Sequence, residues 1–113
     1  MKIREDFVTN SSSSSFIIAK NSKCTVEEIK NKIYEQKENI IDLHQNLFDE
    51  ELTDEELRNF VDDLAEELFT IPRSLSLGDW VASAEEYSYE DEADNCFMYE
   101  YGYLLNTDNF KVG

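Results

Sequence analysis

The stretch TDEELRNFVDDLAEELFT, residues 53–70, decides the fold because it predicts one well-defined helix. Thr53 is followed three residues later by Glu56, which is the pattern of a capping box at a helix start. Ile71 precedes Pro72 and therefore leaves the α region, so the helix ends there. Its apolar residues recur at helical spacing and form one stripe: Leu57, Phe60, Val61, Leu64, Ala65, Leu68 and Phe69.

A second helix is predicted upstream of this stretch. Thr25 and Glu28 form another capping box, and Ile29 and Ile33 fall on one face. The pattern blurs near Lys37, where a kink or break can fall, and we expect helix to continue into the low 40s.

The remaining segments predict strands. Residues 16–19 and 80–89 are β-rich, and Gly78 and Asp79 form a turn before the second of them. Aromatic residues alternate over 97–105, which predicts a further strand paired with 80–89 in a hairpin. Short strands are also expected at 3–8 and 110–112, with a Ser-rich loop at 9–15.

These elements together predict one α+β domain over residues 1–113. We expect a small antiparallel sheet of about three to four strands, with two or three helices packed on one face. The chain of 113 residues has room for a single core, and 41% apolar residues are enough to fill it.

The charge is strongly negative. The chain has 26 acidic and 10 basic residues, for a formal net charge of −16. This argues against a protein that binds nucleic acid or anionic membrane through basic groups. No apolar segment resembles a signal peptide or a membrane span, so we expect the protein in the cytoplasm with Cys24 and Cys96 reduced.

The negative charge lies in two blocks that are candidates for binding a basic partner. The helical block comprises Glu55, Asp62, Asp63, Glu66 and Glu67. The second block comprises Glu85, Glu86, Glu90, Asp91, Glu92 and Asp94. Helical residues four apart lie about 6 Å apart along the axis, comparable with the spacing of phosphates along a DNA strand. A carboxylate row can therefore imitate a phosphate row, although a charged face that merely keeps the domain soluble is the alternative.

Tyrosines accompany the acidic blocks as a second candidate for partner binding. They are Tyr87, Tyr89, Tyr99 and Tyr101, with Tyr103 continuing the pattern. Tyrosine is enriched at interaction hot spots, but it also packs well on half-buried strands, and the sequence leaves both interpretations open.

Nothing in the sequence marks a catalytic or cofactor site. His44 is the chain's one histidine, so no arrangement for nucleophilic catalysis can be assembled from it. The second acidic block lacks the spacing and central glycine of a calcium loop, although paired carboxylates leave magnesium open. We expect a protein that is not an enzyme, with no cofactor and no metal.

The N-terminal segment carries a resemblance. Residues 6–16 read DFVTNSSSSSF, and this stretch resembles the opening of many small uncharacterised proteins of bacteria, phages and mobile elements. The likeness covers about the first eighteen residues. It implies a phage or mobile-element origin, and it implies neither a fold nor an activity.

The functional expectation is an acidic inhibitor of a basic, nucleic-acid-handling partner that acts by phosphate mimicry, for example an anti-CRISPR or anti-restriction protein. Two alternatives stay open: an immunity protein or antitoxin, and a protein-interaction domain that uses a Tyr-rich sheet. In each case the partner is a protein, without direct contact to nucleic acid or membrane.

Overall fold

The computed structural model describes residues 13–89 and 92–113, and the predicted strand at 3–8 lies outside them. The elements in chain order are β1 (Ser13–Asn21), α1 (Val26–Tyr34), α2 (Lys37–Phe48), α3 (Asp54–Thr70), β2 (Leu75–Leu77), β3 (Trp80–Ser88), α4 (Ala93–Tyr101), a 3₁₀ turn (Gly102–Leu105) and β4 (Phe110–Val112). The predicted α+β class is confirmed.

The four strands form one antiparallel sheet in the order β2-β3-β1-β4. The hairpin β2–β3 turns at Gly78, whose φ of 61° is the left-handed conformation that glycine adopts without strain. β1 pairs with β3 along its whole length, from Ser13 opposite Ser88 to Asn21 opposite Trp80. The predicted Ser-rich loop is therefore wrong at residues 13–15, because this pairing draws them into β1, whereas 9–12 lie outside the described residues.

The helices cover one face of the sheet, as predicted, although they number four among the described residues rather than two or three. Ile18, Phe110 and Val112 point from the strands into the core and are buried. The helices contribute a larger set of fully buried side chains to the same core: Ile29, Ile33, Ile40, Leu68, Phe97 and Met98.

The predicted upstream helix is two helices. α1 has the expected capping box, in which Glu28 N–H donates to Thr25 Oγ1 and Thr25 N–H donates to Glu28 Oε1. The break falls just before Lys37, where the Gln36 N–H donates to the Ile33 carbonyl at 2.9 Å, three residues back. This tighter turn ends α1 and allows α2 to pack against α4 and α3.

The segment at 97–105 corrects the sequence prediction, because it forms α4 and a 3₁₀ turn rather than a strand. Phe97 and Tyr101 are four residues apart, and their rings lie 5.7 Å apart on one side of the helix. Cys96, Phe97 and Met98 are buried consecutively, so α4 is enclosed on more than one side. Phe97, Tyr101 and Leu105 are spaced four residues apart, which also matches a helical repeat, and tertiary packing overrides the strand preference of the aromatic residues.

No helix in the part of the chain at 13–89 and 92–113 is long and apolar enough to cross a membrane.

The cap of α3 predicts a stability effect that can be measured directly. Thr53 Oγ1 accepts from the Glu56 N–H at 3.1 Å, and Glu56 Oε1 accepts from the Thr53 N–H at 3.0 Å. Thr53→Ala removes one of these bonds, so we expect unfolding to become easier by about 1 kcal/mol, which lowers Tm by about 4 °C. Thermal denaturation checks this, with Thr53→Ser as the control that keeps the hydroxyl. Equal Tm values for the two variants would contradict the role assigned to the cap.

Candidate functional site

A groove of about 430 Å³ lies where α3, the end of α2 and the start of α4 meet. Its lining divides evenly between carboxylates and apolar groups. The carboxylates are Asp63, Glu67, Glu92 and Asp94, and the apolar residues are Phe48, Phe60, Leu64 and Ala93. We call it the acidic groove. It joins the two acidic blocks that are separate in the sequence.

The elements that hold the carboxylates are fixed by local sequence. Asp63 and Glu67 lie four residues apart on α3, next to the apolar stripe that packs into the core. Glu92 is the N-cap residue of α4 and Asp94 lies in its first turn. The Ser88 N–H donates to Asn95 Oδ1 at 2.5 Å, which ties the end of β3 to α4 and sets the start of α4 beside α3.

Two of the four carboxylates are partly compensated by the helix they begin. The N-terminus of α4 carries partial positive charge, which stabilises Glu92 and Asp94. Asp63 and Glu67 lie in the middle and late part of α3 and have no such compensation. The attraction of the groove for a cation therefore depends most on these two residues.

The pKa of Glu67 shows that the carboxylates of the groove repel one another. Burial and then the nearby carboxylates of Asp94, Glu85 and Glu92 raise the pKa of Glu67 above its ordinary value. Burial, followed by Glu85 and Glu67, also raises the pKa of Tyr87 far above its usual range. The site is therefore strongly anionic, and a cation placed in it would relieve repulsion.

The floor of the groove is aromatic. Phe60 packs edge-on against Phe97 with ring centroids 6.0 Å apart, and His44 lies 5.3 Å from Phe60 and 5.7 Å from Phe48. The sequence analysis missed all four apolar residues of the groove as site residues. It placed Phe60 and Leu64 on the core stripe, Phe48 in a helical segment and Ala93 in a turn or loop. An arginine or lysine side chain suits this combination, because its stem and charged group can lie on aromatic rings while carboxylates accept its N–H bonds.

The other predicted acidic residues for which the structure gives a position do not line the acidic groove. Asp62 lies on the opposite flank of α3, where Lys30 Nζ approaches its carboxylate at 3.5 Å. Glu55 and Glu66 are exposed on α3, and Glu86 lies on the far face of the sheet. Glu90 and Asp91 lie outside the described residues. The helical block is thus split between two flanks rather than forming one continuous row.

The tyrosines also separate. Tyr87 is buried and packs on Phe16 at 5.7 Å, which agrees with the sheet-packing alternative. Tyr89, just beyond β3, is exposed and lies 6.0 Å from Tyr99 of α4. Tyr101 is half-buried against Phe97. The tyrosines predicted to share one sheet are therefore divided between the core, which holds Tyr87, and a group in which Tyr89 packs against α4.

Two chemical features concern metals and thiols. Cys24 and Cys96 are both buried, and no disulfide joins them. Across residues 13–89 and 92–113, no three His, Cys, Asp or Glu side chains are grouped closely enough to hold a metal ion.

The raised pKa of Glu67 predicts how stability responds to pH. Because the folded-state pKa lies above the unfolded value, ionised Glu67 destabilises the fold at neutral pH, and this penalty disappears as pH falls towards about 4.3. We expect Glu67→Gln to stabilise the protein at pH 7 by less than about 1 kcal/mol, since the side chain is partly exposed and screened. Urea denaturation at several pH values checks this, with Glu66→Gln as the control. A gain that persists unchanged at low pH would refute the explanation.

In comparisons with family models, curated proteins and solved structures, the chain matches none of them.

Proposed function

We propose that this protein is a cytoplasmic acidic inhibitor that binds a basic, nucleic-acid-handling protein and occupies the surface where that partner normally binds phosphates. The observation that carries the proposal is the convergence of the two acidic blocks. Four carboxylates from α3 and the start of α4 line one groove, and none of the described residues that line it is a lysine or an arginine.

The distribution of basic groups supports the same proposal. Lys30 contacts Glu27 at 3.7 Å and Asp62 at 3.5 Å, and Lys32 contacts Glu35 at 3.4 Å. Lys20 and Arg73 donate to carbonyls at the end of α3. These cations hold the fold together elsewhere, so none of them neutralises the acidic groove. Arginine or lysine from a partner can take that place.

The proposed mechanism is steric and electrostatic. Asp63 and Glu67 lie about 6 Å apart along the axis of α3 and present charge at a spacing similar to neighbouring phosphates. An arginine of the partner enters the groove, donates to these carboxylates and stacks on Phe60 or Phe48. The partner's nucleic-acid surface is then occupied by this domain.

The most concrete version is an inhibitor of host defence carried by a phage or mobile element, such as an anti-CRISPR or anti-restriction protein. The resemblance of residues 6–16 to the opening of phage and mobile-element proteins motivates it. An immunity protein or antitoxin shares the electrostatics and would be distinguished by a basic toxin as the partner.

A binding experiment with matched variants tests the acidic groove. The probes are an oligo-arginine peptide and its neutral citrulline counterpart, followed by fluorescence anisotropy. We expect Asp63→Asn with Glu67→Gln to weaken arginine binding about tenfold, or about 1.4 kcal/mol. Glu55→Gln with Glu66→Gln removes the same charge from the same helix outside the groove, and we expect a much smaller loss. Affinity should fall as salt rises from about 50 to about 300 mM.

An inhibition assay tests the function itself. Purified RNA-guided and restriction nucleases cleave DNA with and without the full-length protein, and the expected result is inhibition that the Asp63→Asn, Glu67→Gln variant loses. If both double variants weaken binding equally, diffuse charge rather than the groove is responsible. If both double variants still bind the partner but Tyr99→Ala or Tyr101→Ala does not, binding depends on these tyrosines rather than on the acidic groove.

A further inference from the structure

Helices α2 and α4 pack against each other in opposite directions, and the acidic groove lies at one end of their contact. Phe48 at the end of α2 lines the groove together with Ala93 and Asp94 at the start of α4. At the other end, Asp42 of α2 lies close enough to Tyr101 of α4 to act on it electrostatically. We call the line of contact between these two ends the α2–α4 seam.

Three tyrosines gather at the second end of the seam, and we call Tyr89, Tyr101 and Tyr103 the tyrosine group. Tyr89 is 51% exposed and Tyr103 is 62% exposed, and both lie close enough to Tyr101 to act on its hydroxyl. Burial raises the pKa of Tyr101 most, and the carboxylates of Glu100 and Asp42 raise it further. The group therefore combines exposed aromatic rings with two carboxylates, a combination that suits the guanidinium of an arginine.

The helical repeat places the acidic groove and the tyrosine group on the same side of α4. Asp94 and Tyr101 are seven residues apart in this helix, which is almost two turns, so their side chains leave it in nearly the same direction. The distance between them along the axis is about 10 Å. Buried Phe97 lies between them, with its ring 6.0 Å from Phe60 of the groove and 5.7 Å from Tyr101. The aromatic floor of the groove thus continues along the seam to the tyrosine group.

The two helices of the seam provide no cation for the tyrosine group. α4 contains no lysine or arginine. Lys37, the lysine that begins α2, lies with its Nζ 5.2 Å from the centre of the Tyr34 ring on α1. Both ends of the seam therefore carry carboxylates and aromatic rings, and charge complementarity favours a basic segment of a partner protein along it.

We propose that the tyrosine group is a second subsite for the basic partner, whose bound segment presents two arginines about 10 Å apart. One arginine enters the acidic groove. The other lies on the rings of Tyr101 and Tyr103 and donates to the carboxylate of Asp42 or Glu100. In an extended chain about three residues cover this distance, so the pattern Arg-x-x-Arg fits the seam. The inference rests on the function proposed above, because it assumes that the first arginine occupies the groove.

An NMR titration of the isotope-labelled, full-length protein tests the second subsite. The probes are the peptide Arg-Gly-Gly-Arg and its two counterparts in which citrulline replaces one arginine. We expect the backbone amide signals of Asp63, Glu67 and Asp94 to shift with every peptide. Those of Tyr101 and Tyr103 should shift strongly only with the peptide that has two arginines. The second arginine should tighten binding about tenfold, because its contact forms within an already bound complex.

Matched variants assign this gain to the tyrosine group. Tyr89→Leu with Tyr103→Leu removes two aromatic rings that are more than half exposed, so the fold stays intact, as the NMR spectrum itself verifies. We expect this double variant to lose most of the tenfold gain and to keep its affinity for the peptides with one arginine. Tyr34→Leu is the control, because Tyr34 is an exposed tyrosine on α1 outside the seam, and we expect the full gain to remain.

The outcomes separate this inference from the proposed function. If the two-arginine peptide shifts the signals of the groove but not those of the tyrosine group, the second subsite is refuted and the groove stands. The same conclusion follows if the double tyrosine variant keeps the full gain. If no peptide shifts the signals of the groove, the groove itself is refuted, and the second subsite with it.

Discussion

The C-terminal carbonyls of α3 are bound by two cations, and the placement of the acidic groove depends on this interaction. Lys20 Nζ donates to the Phe69 carbonyl at 2.9 Å and lies 3.6 Å from the centre of its ring. Arg73 donates to the Leu68 and Ile71 carbonyls at 2.7 and 2.8 Å. α3 has no basic residue in its own last turn, so cations from β1 and from the following loop complement its dipole. Because Lys20 belongs to β1, the same contact fixes α3 to the sheet.

That arrangement separates the charges along α3. The cations gather at its C-terminal end beneath the sheet, where burial lowers the pKa of both Lys20 and Arg73. The carboxylates of Asp63 and Glu67 are left facing the start of α4, and the described lining of the groove offers them no basic side chain. Burial raises the pKa of Glu67 most, and the repulsion by neighbouring carboxylates that adds to it is a consequence of where the few cations are needed structurally.

The sequence correctly predicted the elements whose signals are local. Its predictions were wrong where long-range packing decides between helix and strand. Thr53 and Glu56 specify the start of α3 within four residues, so the capping box was readable. The segment beginning at Ala93 carries aromatic residues that satisfy both a strand and a helical repeat, and enclosure by α2 and β3 selects the helix. The acidic groove follows from that choice, since a hairpin would not bring Glu92 and Asp94 against α3. The sequence therefore identified these carboxylates but not their convergence.

The same distribution of charge leaves the face of the sheet that points away from the helices largely apolar. A chain of net charge −16 resists association wherever carboxylates are dense, and the dense regions lie on the helical layer. β1 and β3 carry alanine and isoleucine on the side away from the helices. The alternation of side chains along β1 and β3 thus places the helix-facing residues and these small apolar residues on opposite faces of the sheet.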